Sequence, residues 1–191
     1  MRPIILASAS PRRQELLKNL GLEFKIEASE VDETLDETMS AAQQVEELAE
    51  RKASVVAAQN TRGLVIGADT LVVLGGKPLG KPADREEAIQ MLGSLQGRSH
   101  EVFTGLAVID AATGRSIVTH QATAVRFKPL SLEQIQRYVA TGEPYDKAGA
   151  YAVQGKASVF IDSIRGCYFN VVGLPVAKLA DALRTFGVEI V

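Results

Sequence analysis

Several stretches of this chain combine residue types and spacings suited to chemistry on a polyanion. The first is Leu6-Ala7-Ser8-Ala9-Ser10-Pro11-Arg12-Arg13, which sets two hydroxyls and two guanidinium groups where a helix should begin. A helix N-terminus carries partial positive charge and favours acids in its first turn, so two arginines there form a local conflict that a bound anion would relieve. Free backbone N–H groups, Ser8, Ser10, Arg12 and Arg13 together make a cradle for a phosphate chain. The spacing alone equally allows solvated arginines with Ser10 as a simple helix cap. Further on, Ser29 to Glu37 holds five carboxylates in nine positions. Such a run is ordinarily a solvated loop, yet two or three of its carboxylates can also bind a hard cation through oxygen. Lys52 lies close to the apolar stripe of a helix, where it either snorkels to water or serves a site. Asp69 interrupts the almost wholly apolar run from Gly63 to Gly76. A charge there is tolerable if it is paired, hydrogen-bonded or coordinating a metal, or if Asp69 sits at a turn bonded to nearby amides.

The elements that must position these residues follow from periodicity and punctuation. Ile4 to Ala7 is a short apolar run of buried-strand type, followed by a helix with Pro11 at its first position and Gly21 at its end. Residues 23 to 28 alternate over Phe24, Ile26 and Ala28 as a half-buried strand. Ser40 caps a long helix through Val45, Leu48, Ala49, Lys52 and Val56. The run around Asp69 reads as a central strand buried on both faces. Two Gly-Lys-Pro triplets, Gly76–Pro78 and Gly80–Pro82, then make a rigid extended connection that lacks the full P-loop frame. A helix capped by Asp84 and closed by Gly97 follows, then a β-hairpin or meander over residues 100 to 126 with a turn around Ala112 to Gly114, and a helix from Ser131 to Gly142. Residues 144 to 156 read as a loop rich in specific side chains, which is where binding residues tend to lie. Residues 159 to 164 read as a strand, and a last helix begins at Pro175 with Val176, Leu179, Ala180, Leu183 and Phe186 on one stripe. Strands alternating with helices around a β-rich middle indicate a mixed α/β sheet.

Composition narrows the function classes. The length of 191 residues and 46% hydrophobic content fit one α/β domain spanning residues 1–191. A net charge of −2 supplies no global field toward nucleic acid or an anionic membrane, so a polyanionic ligand must be met locally. One cysteine excludes an internal disulfide, and Cys167 with two histidines is too little for the usual zinc cluster. Cys167 is expected to be a buried, inert thiol. No signal-peptide core and no apolar run near the roughly 20 residues of a membrane span is present, which sets the expectation of a cytoplasmic protein.

Five motifs stand in one order: Leu6 to Arg13, Gly67-Ala68-Asp69-Thr70, Gly80-Lys81-Pro82, Asp146-Lys147-Ala148-Gly149 and Val172-Gly173-Leu174-Pro175. In this the chain closely resembles the Maf family of nucleoside triphosphate pyrophosphatases over nearly its whole length. The resemblance implies a fold like that of inosine triphosphate pyrophosphatase, with an elongated mixed central sheet, flanking helices, two lobes and a cleft. It implies hydrolysis of a nucleoside triphosphate to monophosphate and pyrophosphate with a divalent metal, Mg²⁺, Mn²⁺ or Co²⁺, and it is compatible with a homodimer. By motif position, Asp69 is the proton acceptor and a metal ligand with Glu33, while Ser8, Arg13, Lys52 and Lys81 bind the phosphates. Arg12, Thr70 and Gln154 stand where subgroups of the family differ, and their combination resembles the subgroup acting on dTTP and UTP. A subgroup acting on 7-methyl-GTP carries tryptophan and glutamate at the first and last of these positions.

Elementary chemistry agrees with these roles. A triphosphate brings three to four negative charges, which Arg12, Arg13, Lys52, Lys81 and Lys147 are placed in the sequence to meet. Gln154 carries one donor and one acceptor, matching N3–H and O4 of uracil or thymine, although it also reads as an ordinary loop glutamine. Modified pyrimidine triphosphates are further candidate substrates. The competing reading is a nucleotide-binding regulator of cell division, because the family's name is tied to septum formation. A dehalogenase-type phosphatase is disfavoured, since that chemistry wants a DxD motif and Asp69 is followed by Thr70-Leu71.

Overall fold

Hydrophobic runs of period 2 and period 3.6 alternate along the chain, and in the computed structural model they form one mixed sheet with helices against it. Residues 2–34 and 38–191 are described; Met1 and the Leu35, Asp36 and Glu37 end of the acidic run lie outside the described residues. Among the described residues the seven strands are β1 (Ile4–Leu6), β2 (Phe24–Ile26), β3 (Leu64–Leu74), β4 (Lys77–Leu79), β5 (Ser99–Asp110), β6 (Ser116–Phe127) and β7 (Ile161–Arg165). Their order is β2-β1-β3-β5-β6-β7, with β4 paired to β3. β1 runs parallel to both β2 and β3, whereas β3/β4 and β6/β7 are antiparallel, so the sheet is mixed as expected. The helices are α1 (Pro11–Asn19), α2 (Ala41–Ala58), α3 (Arg85–Leu95), α4 (Leu132–Val139), α5 (Tyr168–Val172) and α6 (Val176–Thr185).

The chain groups into two compact units. The first comprises the chain up to Asp69 with Thr104–Gln121 and Gly173–Val191, and the second comprises Thr70–Phe103 and Ala122–Val172. In the first, α2 buries Ala49, Ala53, Val56 and Ala57 against Ile5, Ala7, Val65, Ala107 and Ile109 of the sheet. Two glycines allow that approach: a Cβ on Gly67 of β3 would stand 2.2 Å from the Ala49 carbonyl oxygen, and one on Gly105 of β5 would stand 1.9 Å from that of Val45. Ser40 starts α2 with a reciprocal capping box to Gln43. The core of the second unit is aromatic, with Phe127 and Tyr151 rings 4.9 Å apart and edge-on, and Tyr138 and Phe160 rings 5.2 Å apart.

Several local expectations are corrected. Residues 76–82 are not a plain connection, because Gly75 and Gly76, both at positive φ, turn the chain back so that Lys77–Leu79 pairs with Val72–Leu74. Ile26 is 48% exposed at the sheet edge instead of facing the core. The last strand starts two residues later than its hydrophobic run, since Lys156–Phe160 coil into a 3-10 turn. A short helix, α5, stands between β7 and α6, where the sequence pattern assigned no element. Cys167 is half-buried, with its backbone N–H and carbonyl both bonded to the Thr123 hydroxyl.

Candidate active site

α1 begins at Pro11 immediately after β1, and this turn bears Ser8, Ser10, Arg12 and Arg13. Ser10 occupies the N-cap, but its hydroxyl makes no capping bond. The buried Ser8 hydroxyl takes over the turn, accepting from the Ser10 N–H at 3.3 Å and from Arg13 Nη1 at 3.1 Å. Arg13 Nε also donates to the Gly173 carbonyl at 2.8 Å, so the Val172-Gly173-Leu174-Pro175 motif serves as a brace for this arginine. Gly173 sits at φ 121°, a backbone region that disfavours any side chain.

Asp69 lies within β3, not at a turn. Its Oδ1 accepts from Lys52 Nζ at 2.7 Å, and the same ammonium is 2.7 Å from Glu33 Oε1. Lys52 does not snorkel: it is 9% exposed, on the face of α2 that packs on the sheet. Neighbouring Arg51 donates to the Asp32 carbonyl, so α2 tethers the acidic segment at two successive residues. Burial pushes the Arg13 guanidinium below its ordinary value; the Asp69 charge opposes this, Arg12 adds to it, and Glu33 opposes it in turn. Arg13 stays protonated regardless. Arg12, Arg13, Lys52, Glu33 and Asp69 thus form one electrostatic neighbourhood with three cations against two carboxylates. Among these five groups the cations outnumber the carboxylates, the balance a phosphate chain requires.

The site's fitness for a metal rests on the same geometry. Two carboxylate oxygens converge on one ammonium, so they lie no farther apart than twice their 2.7 Å contacts, around a point already suited to positive charge. Among the described residues no group of three or more His, Cys, Asp or Glu forms a ready-made metal cage. Two hard oxygens suit a cation that fills its remaining positions with water and substrate oxygens, the habit of Mg²⁺.

A family model described as "Maf-like protein" matches residues 3–186. The chain belongs to the Maf family. A protein of Desulforamulus reducens named dTTP/UTP pyrophosphatase is 75% identical to this Maf chain over the whole of both. Proteins of the same name from Pelotomaculum thermopropionicum and Symbiobacterium thermophilum are 58% and 53% identical, over 100% of this chain and 100% and 97% of theirs. The solved Staphylococcus aureus Ham1 protein superposes with a TM-score of 0.44 at 17% identity, over 66% of this chain and 72% of that one, a likeness too slight to add to the account of the fold.

The remaining expected site residues of this Maf chain belong to the second unit. Thr70, next to Asp69, alternates to the other face of β3. Lys81 is exposed, and the backbone beside it is fixed by the Gly149 N–H donating to the Gly80 carbonyl at 3.0 Å. Gly149 in turn packs so closely on Val72 that a Cβ would stand 2.9 Å from it, which joins the Gly80-Lys81-Pro82 and Asp146-Lys147-Ala148-Gly149 motifs. Gln154 is exposed on a run of 3-10 turns. Lys147, expected to meet phosphate, is committed to its own loop, with Nζ donating to the Glu143 carbonyl at 2.8 Å and to Asp146 Oδ1 at 2.5 Å. Sequence reasoning missed the brace at Gly173, which was signalled by a glycine before Leu-Pro.

Proposed function

We propose that this chain is a nucleoside triphosphate pyrophosphatase that converts dTTP and UTP to the monophosphate and pyrophosphate. The observation that carries the reading is the Asp69 carboxylate, held within a buried strand by Lys52 and set beside Glu33 and Arg13. The name shared by relatives up to 75% identical supports the choice of substrate. Asp69 accepts the proton of a water whose oxygen attacks the α-phosphorus. The bond from that phosphorus to its bridging oxygen breaks, and pyrophosphate leaves with the electron pair. Ser8 and Gly173 hold Arg13 in position for the phosphate chain, Lys52 keeps the Asp69 carboxylate oriented, and Lys81 adds a further phosphate contact. Asp69 and Glu33 would hold a divalent cation, which when bound supplies charge neutralisation on the phosphate oxygens. In the second unit Gln154 reads the base through N3–H and O4, with Arg12 and Thr70 contributing to selection.

A cytoplasmic location and a homodimer complete the reading; no helix among the described residues is long and apolar enough to cross a membrane. The test is pyrophosphate release from a panel of ordinary and modified triphosphates, with Mg²⁺, Mn²⁺ or Co²⁺ and after chelation. UTP and dTTP should lead the panel, with activity lost on chelation and restored by the metal. Equal rates on all bases would remove the substrate assignment, and full activity after chelation would remove the metal.

A further inference from the structure

Gln154 is presented by an unusually braced piece of backbone. Tyr151, Ala152 and Val153 before it are buried, while Gln154 itself is exposed. Immediately after it the chain is gripped by the half-buried carboxylate of Glu143, which stands eleven residues earlier. Glu143 Oε2 accepts from the Lys156 N–H at 3.0 Å, and Oε1 accepts from the Ala157 N–H at 3.4 Å and from the Tyr138 hydroxyl at 2.9 Å. Tyr138 is fixed in turn by burial in α4 and by edge-on contact with Phe160. Gly155 lies flat against this carboxylate: a Cβ there would meet Glu143 Oε1 at 2.2 Å and Cδ at 2.5 Å. Its dihedrals, φ −98° and ψ −158°, are open to any residue, so glycine is needed here for proximity and not for conformation. The far end of the segment is closed by Lys147 on the Glu143 carbonyl and by the Gly155 N–H on the Ala152 carbonyl at 3.1 Å.

An exposed glutamine in an ordinary loop requires none of this. Drawing a carboxylate out of water and giving it three donors makes sense where one backbone placement must be held, because an amide selects a base edge only when its donor and acceptor arrive in register. We propose that Glu143 is a positioning residue for base selection, fixing the Gln154-Gly155 backbone so that the Gln154 amide meets the base edge in one orientation. This rests on the reading of Gln154 as the base reader.

The test uses Glu143→Gln, which keeps the shape but turns an N–H₂ toward one of its donors, and Gly155→Ala, whose methyl displaces the carboxylate from the other side. For each, kcat/KM is measured with UTP and with ATP, together with inhibition by pyrophosphate and Tm. The account expects the UTP-to-ATP ratio to fall about tenfold, mainly through KM for UTP, with pyrophosphate inhibition within about twofold of wild type. A merely structural role would lower Tm and slow all triphosphates alike with the ratio unchanged. Glu143→Gln decides, and Gly155→Ala takes its place should that variant not fold. An unchanged ratio overturns the proposal when Gln154→Ala does lower it. If Gln154→Ala also leaves the ratio unchanged, the base-reading role falls first and this proposal falls with it.

Discussion

Gly67→Ala should damage catalysis without touching any group that meets substrate. The added methyl would sit 2.2 Å from the Ala49 carbonyl oxygen, 2.9 Å from Ala53 Cβ and 2.9 Å from the Ala53 nitrogen. Ordinary contact at such atoms is about 3.5 Å, so α2 must withdraw from β3 by roughly 1 Å. Two of the three obstacles are backbone, which cannot rotate aside. Lys52 rides on the same face, and a withdrawal of that size stretches its 2.7 Å contact with Asp69 past hydrogen-bond range, to roughly 3.7 Å. Overpacking of this kind costs about 1–3 kcal/mol, which for a chain of this size lowers Tm by about 2–10 °C. Displacing a catalytic pair by about 1 Å costs on the order of a hundredfold in kcat. Thermal unfolding and steady-state UTP hydrolysis on the same preparation read both effects. Gly93→Ala is the control: it lies exposed in α3 with nothing within 4 Å of a new Cβ, and should gain about 0.5–1 kcal/mol with kcat unaltered. Wild-type kcat and Tm in Gly67→Ala would refute the argument that close approach of α2 to β3 sets the site.

Three further outcomes follow from the same structure. Asp69→Asn keeps shape and a bond from Lys52 but cannot take a proton, so kcat should fall roughly 10²–10⁴-fold with circular dichroism unchanged; near-normal turnover would strip Asp69 of its role. Arg13→Lys should lower kcat for UTP and dTTP alike, because one ammonium cannot bond the Gly173 carbonyl and the Ser8 hydroxyl with the geometry of the guanidinium fork, and a change in base preference instead would place Arg13 elsewhere. His100 is buried beside Phe127 and bonded to the Tyr151 hydroxyl, and burial depresses its pKa to about 4. The unfolded chain therefore binds more protons below the ordinary value of about 6.5, and stability falls as pH drops from there toward 4, by about 2 kcal/mol at pH 5. Urea unfolding at pH 7 and pH 5 should show that loss in the wild type and much less of it in His100→Gln; equal losses in both would point to other groups.

The parts of this molecule legible in its sequence are those governed by local rules. Ser40, Asp84 and Ser131 start helices as capping side chains, and the apolar run through Asp69 is the long central strand. What local rules miss is long-range. Lys52 near an apolar stripe is ambiguous until α2 is laid on β3, and Gly67 and Gly105 were the visible marks that a backbone would approach there. The β4 hairpin escaped because Lys-Pro-Leu has little strand propensity and pairs only by virtue of the Gly75-Gly76 turn. Ser10 follows the capping rule in position but not in bonding: its hydroxyl caps no N–H of the first turn, and its own N–H donates to the Ser8 hydroxyl. Glu143 left no trace at all, because its partners at Tyr138, Lys156 and Ala157 are defined only once the loop has folded.

The central claim is attack of an Asp69-activated water on the α-phosphorus, and hydrolysis of UTP in ¹⁸O-labelled water tests it most directly. The account predicts UMP and pyrophosphate as products, with one ¹⁸O in UMP and none in pyrophosphate. Label in pyrophosphate would mean attack at the β-phosphorus, and UDP with orthophosphate would mean attack at the γ-phosphorus; either result contradicts it.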